Sequence, residues 1–168
     1  MELELYPWDV ETYPNCFTAV IGNMRTRKCW IYEISDRKDD RKKLFSRIKK
    51  IRQEGGYMVG FNSIAFDYPV LHFMLRNPEC SVEQIYNKAM EIIGADHEDR
   101  FAHMVFENQM IVPQIDLFKI HHFDNVARST SLKMLEFNMR SDNIEDLPFP
   151  VGTHLTGEQI DRDWETII

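Results

Sequence analysis

The sequence is short of cysteine, of long apolar runs and of positive charge, and each shortage closes off a class of protein. Its three cysteines, Cys16, Cys29 and Cys80, are widely spaced and form no CxxC pair. A disulfide framework needs a denser, even set, and a zinc knuckle needs closely spaced ligand pairs. The thiols are expected to be buried and reduced. The longest apolar stretches, such as Met58 to Phe61 and Met110 to Val112, fall far short of the ~20 residues that span a bilayer, and Met1-Glu2-Leu3-Glu4 does not have the order of a signal peptide. A cytoplasmic protein with no membrane partner is expected. Against 27 Asp and Glu stand 20 Lys and Arg, a net charge of −7. Coating nucleic acid by bulk electrostatics requires many cationic contacts that release counterions, so that mode is disfavoured. A protein that holds its substrate through metal ions is not, because it must first gather carboxylates.

What is present is the composition of a globular protein: 168 residues, 43% hydrophobic and 28% charged, with no internal repeat or low-complexity segment. One domain over residues 1–168 is expected. The stretch Glu2 to Glu11 alternates polar and apolar residues and reads as a strand ending at the turn Thr12-Tyr13-Pro14-Asn15. Phe17 to Gly22 and Lys28 to Ile34, rich in β-branched and aromatic residues, read as a following hairpin. From Asp39 the period becomes helical, with Leu44, Ile48 and Ile51 on one face, and Gly55-Gly56 stops the helix. Tyr57 to Phe61 is a continuous apolar run suited to a strand buried on both faces. Helices are predicted over about Phe66 to Leu75, from an N-cap at Ser81 to Ile93, over Ser131 to Phe137, and from Thr156 onward. A strand is predicted within Met110 to Phe118, entered or interrupted at Pro113, and Leu147 to Pro150 reads as extended. Three antiparallel strands followed by helices alternating with strands point to an α/β fold with a mixed sheet.

Two constellations carry chemistry. In Trp8-Asp9-Val10-Glu11 the acids are two apart on a strand, so both leave the same face of the sheet. Such a pair either faces solvent or repels until a hard cation, which prefers oxygen ligands, lies between. In Gly60-Phe61-Asn62-Ser63-Ile64-Ala65-Phe66-Asp67 a buried strand runs into a polar turn, and Asp67 opens the next helix. There it is either a first-turn acid favoured by the helix dipole or part of a site.

Asp9-Val10-Glu11-Thr12 after a first strand, then Asn62-x-x-x-Phe66-Asp67 after a later one, together resemble the first and second motifs of DEDD-type 3′–5′ exonucleases. With Ile115-Asp116-Leu117 and Ser131-Leu132-Lys133-Met134-Leu135-Glu136, the run from Leu3 to about Phe137 is most similar to the exonuclease domains of phage and family B replicative polymerases. The resemblance implies an RNase H-like fold, a two-metal site for Mg²⁺ or Mn²⁺ and stepwise release of nucleotides from a single-stranded DNA 3′ end. RNA is a further possible substrate, and a polymerase or other replication protein a possible partner. It implies that Asp9 bridges the two ions, Glu11 binds the water-activating ion and Asp67 serves the second, with Asn62, Phe66 and Thr12 near the substrate. The Asp9–Glu11 spacing differs from RNase H endonucleases, whose catalytic Glu comes from a later helix.

The family's third motif, a Tyr or His followed four or five residues later by the last acid, is missing. Beyond Asp67 no Tyr has an acid four residues on and no His has one five residues on. Asp161 and Asp163 are the remaining acids to consider near the end, and Asp116 is a candidate supporting or substrate residue. The chain is therefore expected to stop before its fourth carboxylate, and a catalytically incomplete, nuclease-like binding module is the alternative. Weaker candidates are a His121-His122-Asp124 metal cluster, phosphate contacts from the basic helix Arg41 to Arg52, and base stacking by Phe61, Phe66 or Tyr68.

Overall fold

In the computed structural model, which describes residues 3–95, 102–122, 131–133 and 149–167 (without side chains at 121–122 and 163–167), one five-stranded sheet forms the frame. Strands β1 (Leu5–Tyr13), β2 (Cys16–Gly22) and β3 (Cys29–Ser35) form an antiparallel meander, and β4 (Tyr57–Gly60) and β5 (Gln114–Asp116) add to β1 in parallel. The order β3-β2-β1-β4-β5, with flanking helices α1 (Arg41–Gln53), α2 (Asp67–Arg76), α3 (Val82–Gly94), α4 (Leu117–His122) and α5 (Gly157–Ile167), is the RNase H-like arrangement. Among the described residues no helix is long and apolar enough to cross a membrane.

Alternation in β1 divides the molecule. Tyr6, Trp8 and Val10 are buried in the main core with Phe17, Ala19 and Ile21 of β2 and with Leu44, Ile48 and Ile51 of α1. Asp9 and Glu11 leave by the other face, opposite Val20 and Thr18. Farther along that face Tyr13 and Cys16 pack with Leu155 and Ile160, so α5 covers the end of the hairpin. Gly55 ends α1 at φ +70°, and at Gly56 a Cβ would lie 2.7 Å from the Tyr6 ring. α3 begins with a capping box in which Gln84 N–H donates to Ser81 Oγ at 3.2 Å and Ser81 N–H to Gln84 Oε1 at 2.9 Å.

Several boundaries differ from the sequence reading. β1 runs through Thr12 and Tyr13, leaving the turn to Pro14 and Asn15, because Thr12 and Tyr13 continue the ladder to Phe17 and Cys16. The strand expected within Met110 to Phe118 shrinks to Gln114–Asp116: Pro113 lacks the N–H a longer ladder needs, and Leu117 and Phe118 already belong to α4. Cys29 is exposed rather than buried, since it begins the edge strand, whereas Cys16 and Cys80 are buried. The helix expected over Ser131 to Phe137 and the extended segment Leu147 to Pro150 fall largely outside the described residues, as do Asp124 and the side chains of His121 and His122.

Candidate active site

β1 and β4 are paired only at Leu5, Tyr6 and Pro7, although β1 stays paired to β2 as far as Tyr13. Beyond Pro7, β1 therefore loses its neighbour on one side, and the chain leaving β4 turns away through Phe61 to Phe66. A cleft of about 440 Å³ opens there, outside the carboxyl ends of parallel strands, where open α/β sheets place their ligand crevices. Asp9, Glu11 and Thr12 of β1, Asn62 and Phe66 of the turn, and Asp67 at the start of α2 all line it.

The turn is held by Asp116. This buried carboxylate accepts the N–H of Asn62 at 2.8 Å, of Ile64 at 3.1 Å and of Phe118 at 3.0 Å. Asn62 can take its φ of +58° because a short amide side chain tolerates the left-handed region. Gly60 is required just before it, since a Cβ would lie 2.6 Å from that of Ser63. Asp116 is thus a positioning residue whose lone pairs are turned to the backbone.

Asp67 is buried, and its carboxyl is held well above the usual range, first by loss of hydration, then by the negative charge of Asp9 and, more weakly, of Asp116. Asp9 keeps contact with solvent, yet protein crowds its side of the cleft and partial desolvation pushes its carboxyl up to about 6. The two acids, distant in sequence, thus repel each other across one cleft. Oxygen donors in that state suit a hard cation, which would relieve the repulsion. Among the described residues, however, no group of three or more His, Cys, Asp or Glu is gathered closely enough to hold a metal ion.

Asp161 does not join them. Asp161 is exposed and paired with Arg37 at 2.7 Å, and Arg37 in turn binds the fully buried Glu33 of β3 at 2.8 Å. That draws Asp161 toward β3, the far edge of the sheet from β4 and β5, and it does not line the cleft. Asp163 lies in α5, with its side chain outside the described residues.

The walls of the cleft were not legible as such in the sequence. Met90 and Ile93 of α3, Phe118, Leu132, Phe149 and Val151 make it strongly apolar above its acidic floor. Phe61 and Phe118 meet edge to face at 5.5 Å. One signal existed: Ile92 and Ile93 are about 100° apart on a helix, so both cannot face the same core, and Ile93 is 59% exposed. No Lys or Arg is among the described residues lining the cleft. The chain matches no protein-family model, no curated protein and no solved structure.

Proposed function

We propose that this chain carries a metal-dependent 3′–5′ exonuclease site of the proofreading type, acting on single-stranded DNA ends in a cytoplasmic replication setting. The observation that carries this reading is the coupling of Asp9 and Asp67 across one cleft of an RNase H-like sheet. Their mutual repulsion, with no Lys or Arg among the described residues of the lining, favours a cationic ligand over a bare phosphate. A bound Mg²⁺ or Mn²⁺ supplies Lewis acidity toward a phosphate oxygen and a water molecule. Asp9 and Asp67 hold the negative charge that attracts it, Glu11 adds a third carboxylate at the rim, and Asn62 and Thr12 offer polar contacts to a terminal nucleotide. The apolar walls, Phe66 among them, exclude water and present surfaces on which unpaired bases stack.

The test is degradation of a 5′-labelled single-stranded DNA oligonucleotide in Mg²⁺ or Mn²⁺, with single-stranded RNA in parallel. A ladder shortening from the 3′ end, abolished by Asp9→Asn and by Asp67→Asn, is expected. Cleavage that survives both substitutions would falsify this assignment. Turnover is expected to be slow: a poorly placed ion costs on the order of 10²-fold, and incomplete stabilisation of developing charge a further ~10²–10³.

A second reading, a nuclease-like module that binds nucleic acid or a replication partner without cutting, is favoured by the lack of a three-ligand group among the described residues. Metal-dependent binding of the oligonucleotide without any shortening would select it.

A further inference from the structure

On the opposite edge of the sheet from β5, a second groove of about 740 Å³ runs between β3 and α1. Its chemistry is the reverse of the cleft's. α1 carries seven basic residues and no acid from Arg41 to Gln53. Lys43, Arg47 and Lys50, at i, i+4 and i+7, face the groove together with Lys38 and Lys42, against one carboxylate, Asp40. Asp40 is already shared, bound at 2.7 Å by both Lys38 and Lys43. An adjoining groove shares Trp30, Arg47 and Lys50 and adds the exposed cations Arg25 and Lys28, together with Glu4, paired with Arg25 at 2.6 Å, and Glu54, 3.7 Å from Lys50.

A run of lysines on a helix is ordinarily a solvated face, but this one has an ordered centre. The Arg47 guanidinium lies over the Trp30 ring, 3.7 Å from its centroid, and its Nε–H donates to Tyr32 Oη at 3.3 Å. Arg47 is thereby held in place beside an aromatic ledge and does not sweep through solvent, so less entropy is lost when it binds an anion. Cations on one helix face and a guanidinium held over an indole are the elements of a groove that tracks a phosphate backbone, with the guanidinium, not the covered indole face, offered to a base. An acidic peptide would use the charges but would not stack on the guanidinium. We infer that the β3–α1 groove binds the phosphodiester backbone of single-stranded nucleic acid, away from the cleft and without metal. In a chain of net charge −7 whose cleft lining holds no described Lys or Arg, this surface supplies the cationic contact.

The test is fluorescence anisotropy of a labelled oligothymidylate in EDTA, which removes any contribution of divalent ions in the cleft, so the result does not depend on whether the exonuclease reading holds. Three phosphate contacts give a slope of log K against log salt near −2, or roughly a 20-fold loss of affinity between 50 and 200 mM salt. The variant Lys43→Gln/Arg47→Gln/Lys50→Gln is expected to lose at least tenfold in affinity and most of the slope. Lys50→Gln alone, at a 59% exposed side chain where folding is not at stake, should lower the slope by about 0.7. No binding by the wild type, unchanged binding by both variants, or displacement by polyglutamate at the same charge concentration as by unlabelled oligothymidylate would each overturn the assignment.

Discussion

Asp116 accepts the backbone N–H of Asn62 at 2.8 Å, a bond that fastens the end of β5 to the turn leading into α2 and so to Asp67. The same carboxylate binds two further N–H groups. Replacing it by Ala would orphan three donors around a buried position, where each costs about 1–3 kcal/mol before relaxation and water entry. Asp116→Ala is expected to destabilise the fold by about 2–4 kcal/mol in urea denaturation. Asp116→Asn, which keeps one acceptor oxygen, should cost less. A loss below 0.5 kcal/mol for Ala, on the order of a surface substitution, would show that the turn stands without Asp116.

The raised carboxyls of Asp9 and Asp67 set a pH dependence of definite sign. A carboxyl with a folded pKa above its unfolded value holds more protons in the native state, so its contribution to stability is full below about 4 and falls as pH rises. For Asp9 the loss runs from about pH 4 through its folded value of about 6, and Asp67 extends it upward. Without metal, Asp9→Asn and Asp67→Asn should gain stability relative to wild type between pH 4 and 7. Parallel wild-type and variant curves of melting temperature against pH would contradict the desolvated pair.

On the proposed reading, metal is expected to reverse that penalty. Mg²⁺ or Mn²⁺ at ten times its Kd adds about 1.4 kcal/mol to a folded state that alone binds it, a rise in melting temperature of about 3–5 °C for a chain of this size. Asp67→Asn should remove most of the rise. Because both carboxyls must be deprotonated to bind, the affinity should weaken as pH falls, first as Asp67 takes up its proton and more steeply below about 6, where Asp9 does so too. Calorimetric titration at two pH values reads this directly, and a pH-independent affinity would place the ion away from Asp9.

The Glu33–Arg37–Asp161 chain makes a paired prediction. Glu33 is fully buried and also accepts the Ser35 hydroxyl, whereas Asp161 is exposed. Arg37→Met strands a buried carboxylate and should cost about 2 kcal/mol, less than the ~3–5 of a fully buried pair because Arg37 keeps contact with water. Asp161→Asn should leave stability, and any nuclease activity, near wild type. Loss of cleavage in Asp161→Asn, with folding intact, would bring that acid back to the site.

The sequence by itself determined the sheet. Period-two alternation in β1, the β-branched hairpin, the apolar run of β4 and the i, i+4, i+7 stripe of Leu44, Ile48 and Ile51 are local patterns, and burial enforces them wherever the chain goes. It also placed Asp9 and Glu11 on one face, because strand geometry alone decides that. Only the tertiary structure decided that β1 outruns β4, which opens the cleft and lets Asp9 and Asp67 feel each other's charge. It likewise decided that Asp161 goes to Arg37 and Asp116 to the turn, since partners distant in sequence leave no periodic trace. The basic face of α1 was visible as composition, but its ordered centre was not, because Trp30 and Arg47 meet only when β3 and α1 pack.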